Sequence, residues 1–352
     1  MALPFLPAAR KKRDQAFAID VGARKTKAVL IQRRGDRFAL VGYAIADAPV
    51  AEKSVPEEAL AEHLRSVADL MPSKGKVPAT FTLGVEDAMV RHVEMPMMPA
   101  DDIRQILKNN SRTYLQQDLP NYVFDCYFGP GSVNGAALKE QQPKAKVLIA
   151  GAKSQLIQTY LGAAKKAGLI ADSIVPGIIG PINAFELSNP QILAEQTVAL
   201  VEIGFRSTSI SLLQQGELIL NRVVNIGGDR LTAGLAETMN VGYAEAEGIK
   251  LGMPGEVQAQ LETLVMPLGR ELRASIDFFE HQQEKTVSQV YVSGASAQSE
   301  LILQILQTEL MVECKAWNPA GPFELLLPPQ AGEFEQVAPQ LSVAIGAALA
   351  VI

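Results

Sequence analysis

A repeated turn constrains this chain more than any other feature. Residues 17–31 read FAIDVGARKTKAVLI and residues 198–213 read VALVEIGFRSTSISLL. Each is an apolar strand, an acid, one apolar residue, a glycine, a short polar turn and a second β-rich run. The acid-x-Gly cores are Asp20-Val21-Gly22 and Glu202-Ile203-Gly204. Glycine lets a backbone turn tightly and approach a ligand closely. Turn N–H groups can cradle a phosphate, and a neighbouring carboxylate can hold a hydrated Mg²⁺. Two such turns, far apart in the chain, predict two similar lobes closing on one nucleotide.

Composition narrows the function classes. A chain of 352 residues, 48% hydrophobic and 20% charged, has enough apolar material for more than one core. A net charge of −6 argues against a nucleic-acid footprint. The two cysteines, Cys126 and Cys314, exclude a disulfide scaffold and fit a reducing compartment. His63, His92 and His281 lack metal-ligand spacing, so zinc is not expected. No apolar run reaches the ~18–20 residues that span a bilayer. The closing LSVAIGAALAVI reads as a buried helix, and the basic cluster near the start follows its apolar residues, unlike a signal peptide. The expectation is a soluble cytoplasmic protein that is not itself transmembrane.

Along the chain, residues 1–13 read as a frayed tail, or as a docking peptide in which Leu3, Phe5 and Leu6 enter a groove and Arg10 to Arg13 meet an anionic surface. Residues 17–46 form a three-strand meander with a hairpin turn at Arg34-Gly35-Asp36. A helix over 57–71 follows, with Pro56 at its start, Leu60, Leu64, Val67 and Leu70 on one face, and Pro72 and Gly75 as its stop. ATFTLGV is the next strand. Residues 86–172 alternate on their own: a strand near MVRHVEM, a helix over 101–117, strands YVFDCYF and KVLIAGA split by a polar loop over 129–144, and a helix over 154–167 stopped by Gly168. This block reads as an insertion, because the acid-x-Gly pattern resumes after it. From Thr197, ALVEIGF, TSISLLQ and GELILNRVVNI repeat the meander, turning at Gln215-Gly216. Helices over 229–239 and 243–250 come next, then a helical stretch over 254–281 expected to break at Pro267 and Gly269. VSQVYVSG leads through Gly294 into a helix over 297–310, and 339–352 forms a last apolar helix.

Several places carry candidate chemistry. The first turn offers Asp20, Gly22, the amides of Ala23, Arg24, Lys25 and Thr26, and Lys27 as a point charge for phosphate; the competing reading is an ordinary hairpin with a solvated acid. The second offers Glu202, Gly204, Ser207 and Thr208, with Phe205 and Arg206 where a phosphate-cradling turn favours glycine. Gly227 and Gly228 end a strand before a helix that Asp229 can cap, an arrangement suited to anion contact. Glu247 and Lys250, three apart on a helix, are either an ion pair of small value or a ribose grip. Gly294 and Ala295 let an adenine ring lie against backbone.

In this order the pieces resemble the actin-like ATPase superfamily. Within it, residues 17–352 are similar to the PilM family of type IV pilus assembly proteins. The likeness is carried by AIDVGARKTKAVLI, VRHVEMPMMPADDIRQILKNNSRTYLQQDLP, VLIAGAKSQLIQTYLGAAKKAGLIADSIVPG, NRVVNIGGDRLTAGLAETMNVGYAEAEGIKLG and LGRELRASIDFFEHQQ. The resemblance implies an α/β actin-like ATPase fold of two similar lobes around an interlobe nucleotide cleft. The first lobe would comprise 14–85, 173–196 and 336–352, and the second 197–335, with an inserted FtsA/PilM-like subdomain over 86–172 and a tail over 1–13. It implies ATP and Mg²⁺ as cofactors. Asp20 would hold Mg²⁺ through water and form a catalytic pair with Glu202. Gly22, Ala23, Arg24, Lys25, Thr26 and Lys27 would contact the phosphates, as would Gly204, Phe205, Arg206, Ser207 and Thr208. Gly227 and Gly228 would lie near phosphate or ribose, Glu247 and Lys250 would flank the ribose, and Gly294 with Ala295 would face adenine. The implied partner is the cytoplasmic N-terminal tail of an inner-membrane PilN-like protein, bound in a groove near the inserted subdomain, which places the chain at the inner membrane through partners. No motif assigns that groove, and it is expected between the first lobe and the inserted block, involving Val90 to Met98. Leu3-Pro4-Phe5-Leu6-Pro7 is similar to that Leu-Pro tail, so the same groove could take it in cis or by self-association.

Some residues depart from the family pattern. Members usually have Asp where Glu202 stands; one methylene moves a carboxylate by about 1.5 Å, and a displacement of about 1 Å can cost about 10²-fold in rate. Phe205 and Arg206 replace small residues, and Ala295 replaces the second glycine of the adenine motif. The expectation is nucleotide binding with weak or absent hydrolysis. A small-molecule kinase on the same fold would need a carboxylate to take a proton from its substrate, and only Asp20 and Glu202 stand out. An FtsA-like division protein, or a GspL-like secretion protein, would be expected to continue past Ile352 into a membrane-active helix.

Overall fold

The computed structural model describes residues 13–49, 55–72, 78–133, 144–252, 254–327 and 334–352. The docking peptide around Leu3 to Pro7, Gly75 and most of the polar loop over 129–144 lie outside the described residues. The chain divides into two units, 1–180 with 324–326 and 347–352, and 181–323 with 327–346.

The first unit opens with the meander β1 (Gln15–Val21), β2 (Lys25–Arg34) and β3 (Arg37–Asp47), followed by α1 (Glu57–Asp69) and β4 (Ala79–Leu83). β1 reads as a continuous apolar run because it is buried on both faces, antiparallel to β2 and parallel to β4. α1 starts after Pro56, carries Glu57 and Glu58 in its first turn and buries Leu60, Ala61, Leu64 and Val67. Next come β5 (Ala88–Pro96), α2 (Ala100–Leu115), β6 (Tyr122–Val133), β7 (Lys144–Lys153), α3 (Ser154–Lys166) and β8 (Ala171–Pro176). β5, β7 and β6 make a separate three-stranded sheet, with Ile103, Leu107 and Leu115 of α2 packed on Met95, Phe124, Val147 and Ile149. α2 is kinked at Asn110 (φ −150°, ψ 53°), whose Oδ1 accepts from Thr113 Oγ1 at 2.8 Å. α3 packs on α1, where Gly162 leaves room for Glu57: a Cβ there would lie 2.5 Å from the carboxyl carbon. β8 joins the sheet beside β4, fixed at its start by the Arg13–Asp172 ion pair at 2.5 Å.

The second unit takes in most of α4 (Ile179–Ser188) and then α5 (Pro190–Glu195) before repeating the meander as β9 (Thr197–Ile203), β10 (Thr208–Gln214) and β11 (Glu217–Val224). Helices α6 (Gly228–Met239), α7 (Tyr243–Gly252) and α8 (Gln258–Gln283) precede β12 (Gln289–Ser293), α9 (Glu300–Leu310) and β13 (Cys314–Ala316). The sheet order β11-β10-β9-β12-β13 matches β3-β2-β1-β4-β8 strand for strand. β14 (Glu324–Leu325) extends the first unit's sheet beside β3, and α10 (Phe334–Val337) and α11 (Ser342–Leu349) close the chain.

Two expectations need correction. The stretch over 254–281 does not break at Pro267 and Gly269: after a 3-10 turn over Pro254–Val257, α8 runs unbroken for 26 residues. The buried stripe Leu261, Val265, Leu268, Leu272, Ile276 and Phe279 passes straight through. Burial of such side chains is worth about 1.5–3 kcal/mol each, which outweighs the roughly 3 kcal/mol cost of one interior proline. Gly269 admits α9: a Cβ there would lie 2.6 Å from Glu309 Cγ. The helix expected from Ala297 is instead a 3-10 turn over Ala295–Gln298, and α9 starts after Ser299, whose Oγ accepts from Ile302 N. Among the described residues no helix is long and apolar enough to cross a membrane.

Candidate functional site

In the first unit, Asp20 sits at the carboxyl end of β1 with 7% of its surface exposed. Two neighbouring strands hold its carboxylate. Thr82, beside it in β4, donates from Oγ1 to Oδ1 at 2.6 Å, and Lys27, opposite it in β2, places Nζ 3.2 Å from Oδ2. The acid is therefore not the solvated one of an ordinary hairpin. Gly22 is required by the turn itself, since a Cβ would lie 2.6 Å from Lys25 O and 3.2 Å from Lys27 Nζ. Ala23 and Arg24 are exposed at the tip, Lys25 reaches Asp47 at 2.7 Å, and Thr26 is buried with its Oγ1 2.7 Å from His63 Nε2. Burial lowers the His63 pKa. Beyond β4, the turn from Gly84 to Asp87 brings a further carboxylate, with Asp87 N donating to Gly84 O at 2.9 Å. Burial pushes the Tyr160 phenol of α3 up, with the charges of Asp87 and Asp20 adding to it. An ammonium over an open glycine turn, beside a held carboxylate, fits a phosphate with a hydrated metal ion.

The second unit builds the same turn from different chemistry. Glu202 again ends a central strand and accepts a hydroxyl from the next parallel strand, here Ser293 Oγ of β12. Its Oε2 also accepts from Ser342 Oγ at the start of α11, at 2.6 Å. The residue opposite it in β10 is Ser209, where the first unit has lysine. Gly204 repeats the role of Gly22, with Ser207 O 2.8 Å from where a Cβ would stand. Phe205 is half-buried and Arg206 exposed at the tip, while Ser207 and Thr208 are buried, Thr208 donating to Ile226 O at 2.7 Å. The amides expected to meet an anion at the start of α6 are engaged: Gly228 N donates to Gly204 O and Asp229 N to Phe205 O, both at 2.9 Å. Gly227 is needed because a Cβ would lie 2.4 Å from Phe205 O.

Glu247 and Lys250 form an ion pair whose ammonium is buried. Lys250 is 2% exposed, and its Nζ donates at 2.8 Å to both Glu247 Oε2 and Thr232 Oγ1, while the Thr232 hydroxyl also contacts Glu247 Oε2. A Cβ on Gly228 would stand 3.2 Å from Ser296 Oγ and 3.8 Å from Lys250 Nζ, so these polar groups converge on that glycine. Gly294 adopts φ +93°, with a would-be Cβ 2.2 Å from Ile203 O and 3.1 Å from Glu202 Oε1. Ala295 beside it is exposed. Among the described residues no group of three or more His, Cys, Asp or Glu side chains is placed to hold a metal ion.

Thr82, Ser293, Ser342, His63, Thr232 and Asp87 carry no signal that sequence reasoning could pick out. Most reach their partners from another strand or helix, as Ser342 does over a separation of 140 residues, while Asp87 sits in the local turn after β4. Only Ser209 had a local signal: setting the two turns side by side puts it against Lys27.

Comparison with known proteins agrees with this architecture. The chain matches the family described as type IV pilus assembly protein PilM over residues 18–351, and it belongs to that family. The chain is similar to the solved PilM-PilN type IV pilus biogenesis complex at 22% identity, over 97% of this chain and 100% of that one, with a TM-score of 0.81. It is similar to the ethanolamine utilization protein EutJ from Carboxydothermus hydrogenoformans at 14% identity, over 97% and 92%, with a TM-score of 0.58. The fold is the actin-like ATPase fold.

Proposed function

We propose that this PilM-family chain is a scaffold of type IV pilus assembly that binds ATP-Mg²⁺ and the cytoplasmic tail of an inner-membrane PilN-like protein. It would sit on the cytoplasmic side, peripheral to the inner membrane through that partner. The observation that carries the nucleotide half is the Asp20 turn, where Lys27 lies over Gly22 and the carboxylate is held by Thr82. In this reading Lys27 and the Gly22–Thr26 turn neutralise phosphate, Asp20 orients water on the metal, and Glu247, Lys250, Gly294 and Ala295 serve the nucleoside. Bound Mg²⁺ would supply charge neutralisation for the phosphates. The proposed partner surface lies between the first lobe and the block over 86–172 and involves Val90 to Met98, in and just after β5. What supports the partner half is family membership together with the likeness to a PilM-PilN complex.

Calorimetric titration with ATP and Mg²⁺, beside an Asp20→Ala variant, tests the nucleotide half. Binding to the parent chain and loss in the variant are expected; absence in both refutes it. Capture of this chain by a synthetic PilN-like tail tests the partner half separately. Transfer of labelled phosphate from ATP to a small molecule would overturn the scaffold reading.

A further inference from the structure

We propose that the Glu202 turn is not a second phosphate or metal site but a hydroxyl clamp that fastens the start of α11 to the carboxyl ends of β9 and β12. The clamp stands on its own geometry; only its lack of a ligand role rests on the nucleotide reading above.

Three observations carry it. First, Oε2 of Glu202 accepts two hydroxyls, Ser293 Oγ from the adjoining strand and Ser342 Oγ from α11 at 2.6 Å, and these serines are 1% and 0% exposed. Hydroxyl-to-carboxylate bonds are charge-assisted and roughly twice as strong as neutral ones. Second, the position opposite the acid is Ser209, 4% exposed, where the first unit places Lys27 opposite Asp20. Third, the amides at the start of α6 are spent on Gly204 and Phe205 carbonyls.

These facts also explain the residue types. An acid here can reach both the strand beside it and the incoming helix, and a negative charge at a helix start is favourable. Gly294 is glycine because the Ile203 carbonyl and the Glu202 carboxylate occupy the space a Cβ would need. The departure from Asp is thus part of how the last helix is attached: Glu202 is a positioning residue for α11.

Thermal unfolding and Mg²⁺-ATP titration of Glu202→Gln, Ser342→Ala and the double variant test the proposal. Each single change is expected to lower the melting temperature, and the double change to fall short of the sum, because both remove one contact. ATP affinity and its Mg²⁺ dependence are expected to stay within about twofold of the parent. Additive melting shifts would overturn the clamp. A loss of Mg²⁺-ATP affinity of about tenfold or more in Glu202→Gln, with melting unchanged, would make Glu202 a ligand instead. If the parent binds no ATP, the nucleotide reading fails and the melting coupling alone decides the clamp.

Discussion

The Asp20 turn and the Glu202 turn share a backbone and differ in charge. In each, a glycine faces the carbonyl three residues on, 2.6 Å from a would-be Cβ at Gly22 and 2.8 Å at Gly204. In each, the acid accepts a hydroxyl from the adjoining parallel strand, Thr82 or Ser293. The cross-strand position then separates them: Lys27 pairs with Asp20, and Ser209 faces Glu202. The lesson is that the sheet and the turn demand only the glycine and a hydrogen-bonded acid. In the reading proposed above, the anion preference of each turn follows the side chain opposite the acid, Lys27 in one unit and Ser209 in the other.

The largest effect is expected where the two sheets stop matching. After the hydroxyl residue, the first unit continues with Leu83, fully buried, while the second has Gly294 at φ +93°. Gly294→Ala would add positive-φ strain of about 1–3 kcal/mol to a 2.2 Å approach to the Ile203 carbonyl. A loss above about 4 kcal/mol is expected in denaturant unfolding. Near-parent stability would show that the backbone there relaxes and that the glycine is not dictated by packing.

Next in size is the cross-strand pair. Lys27→Ala leaves the Asp20 carboxylate, whose side chain is 10% exposed, with the Thr82 hydroxyl as its remaining contact of the two. A cost of about 1–3 kcal/mol is expected for the under-satisfied acid, together with loss of ATP binding by calorimetry. Ser209→Ala, at the matching position, is expected to cost no more than about 1 kcal/mol and to leave ATP affinity unchanged. Equal effects from the two substitutions would erase the distinction between the turns.

How much of this was legible follows from the range of each interaction. The two meanders could be read because apolar runs, Gly35, Gly216 and the acid-x-Gly turns are local signals. The status of the acids could not, because Thr82, Ser293 and Ser342 arrive from parallel strands and a late helix, and nothing near Asp20 or Glu202 encodes them. Glu247 and Lys250 read as an ion pair of small value or a ribose grip because their spacing is all that a sequence shows; the bond from Lys250 to Thr232 comes from a different helix and leaves no mark on that spacing. Pro267 misled for the same reason, since a local breaker was outweighed by a stripe of contacts along α8.

The smallest effect concerns the threonine next to each cross-strand residue, and it sets the turns apart by acid sensitivity. Thr208 Oγ1 donates to a backbone carbonyl, that of Ile226, and so has no ionisable partner in this bond. Thr26 Oγ1 instead meets His63 Nε2, and burial holds that imidazole below its ordinary value of 6.5. His92, in the three-stranded sheet of the same unit, is held down to about 4, by burial first and the charge of Lys146 second. Both groups resist protonation when folded and accept it when unfolded. Their contribution is therefore complete above the unfolded value of about 6.5 and is lost as pH falls towards the depressed folded values. Stability measured in urea should decline from pH 7.5 to pH 5, and His92→Leu should flatten that decline more than His63→Gln, because its folded value lies well below the whole interval. If His63→Gln leaves the slope untouched, the Thr26 contact carries no pH dependence and the two threonines are equivalent after all.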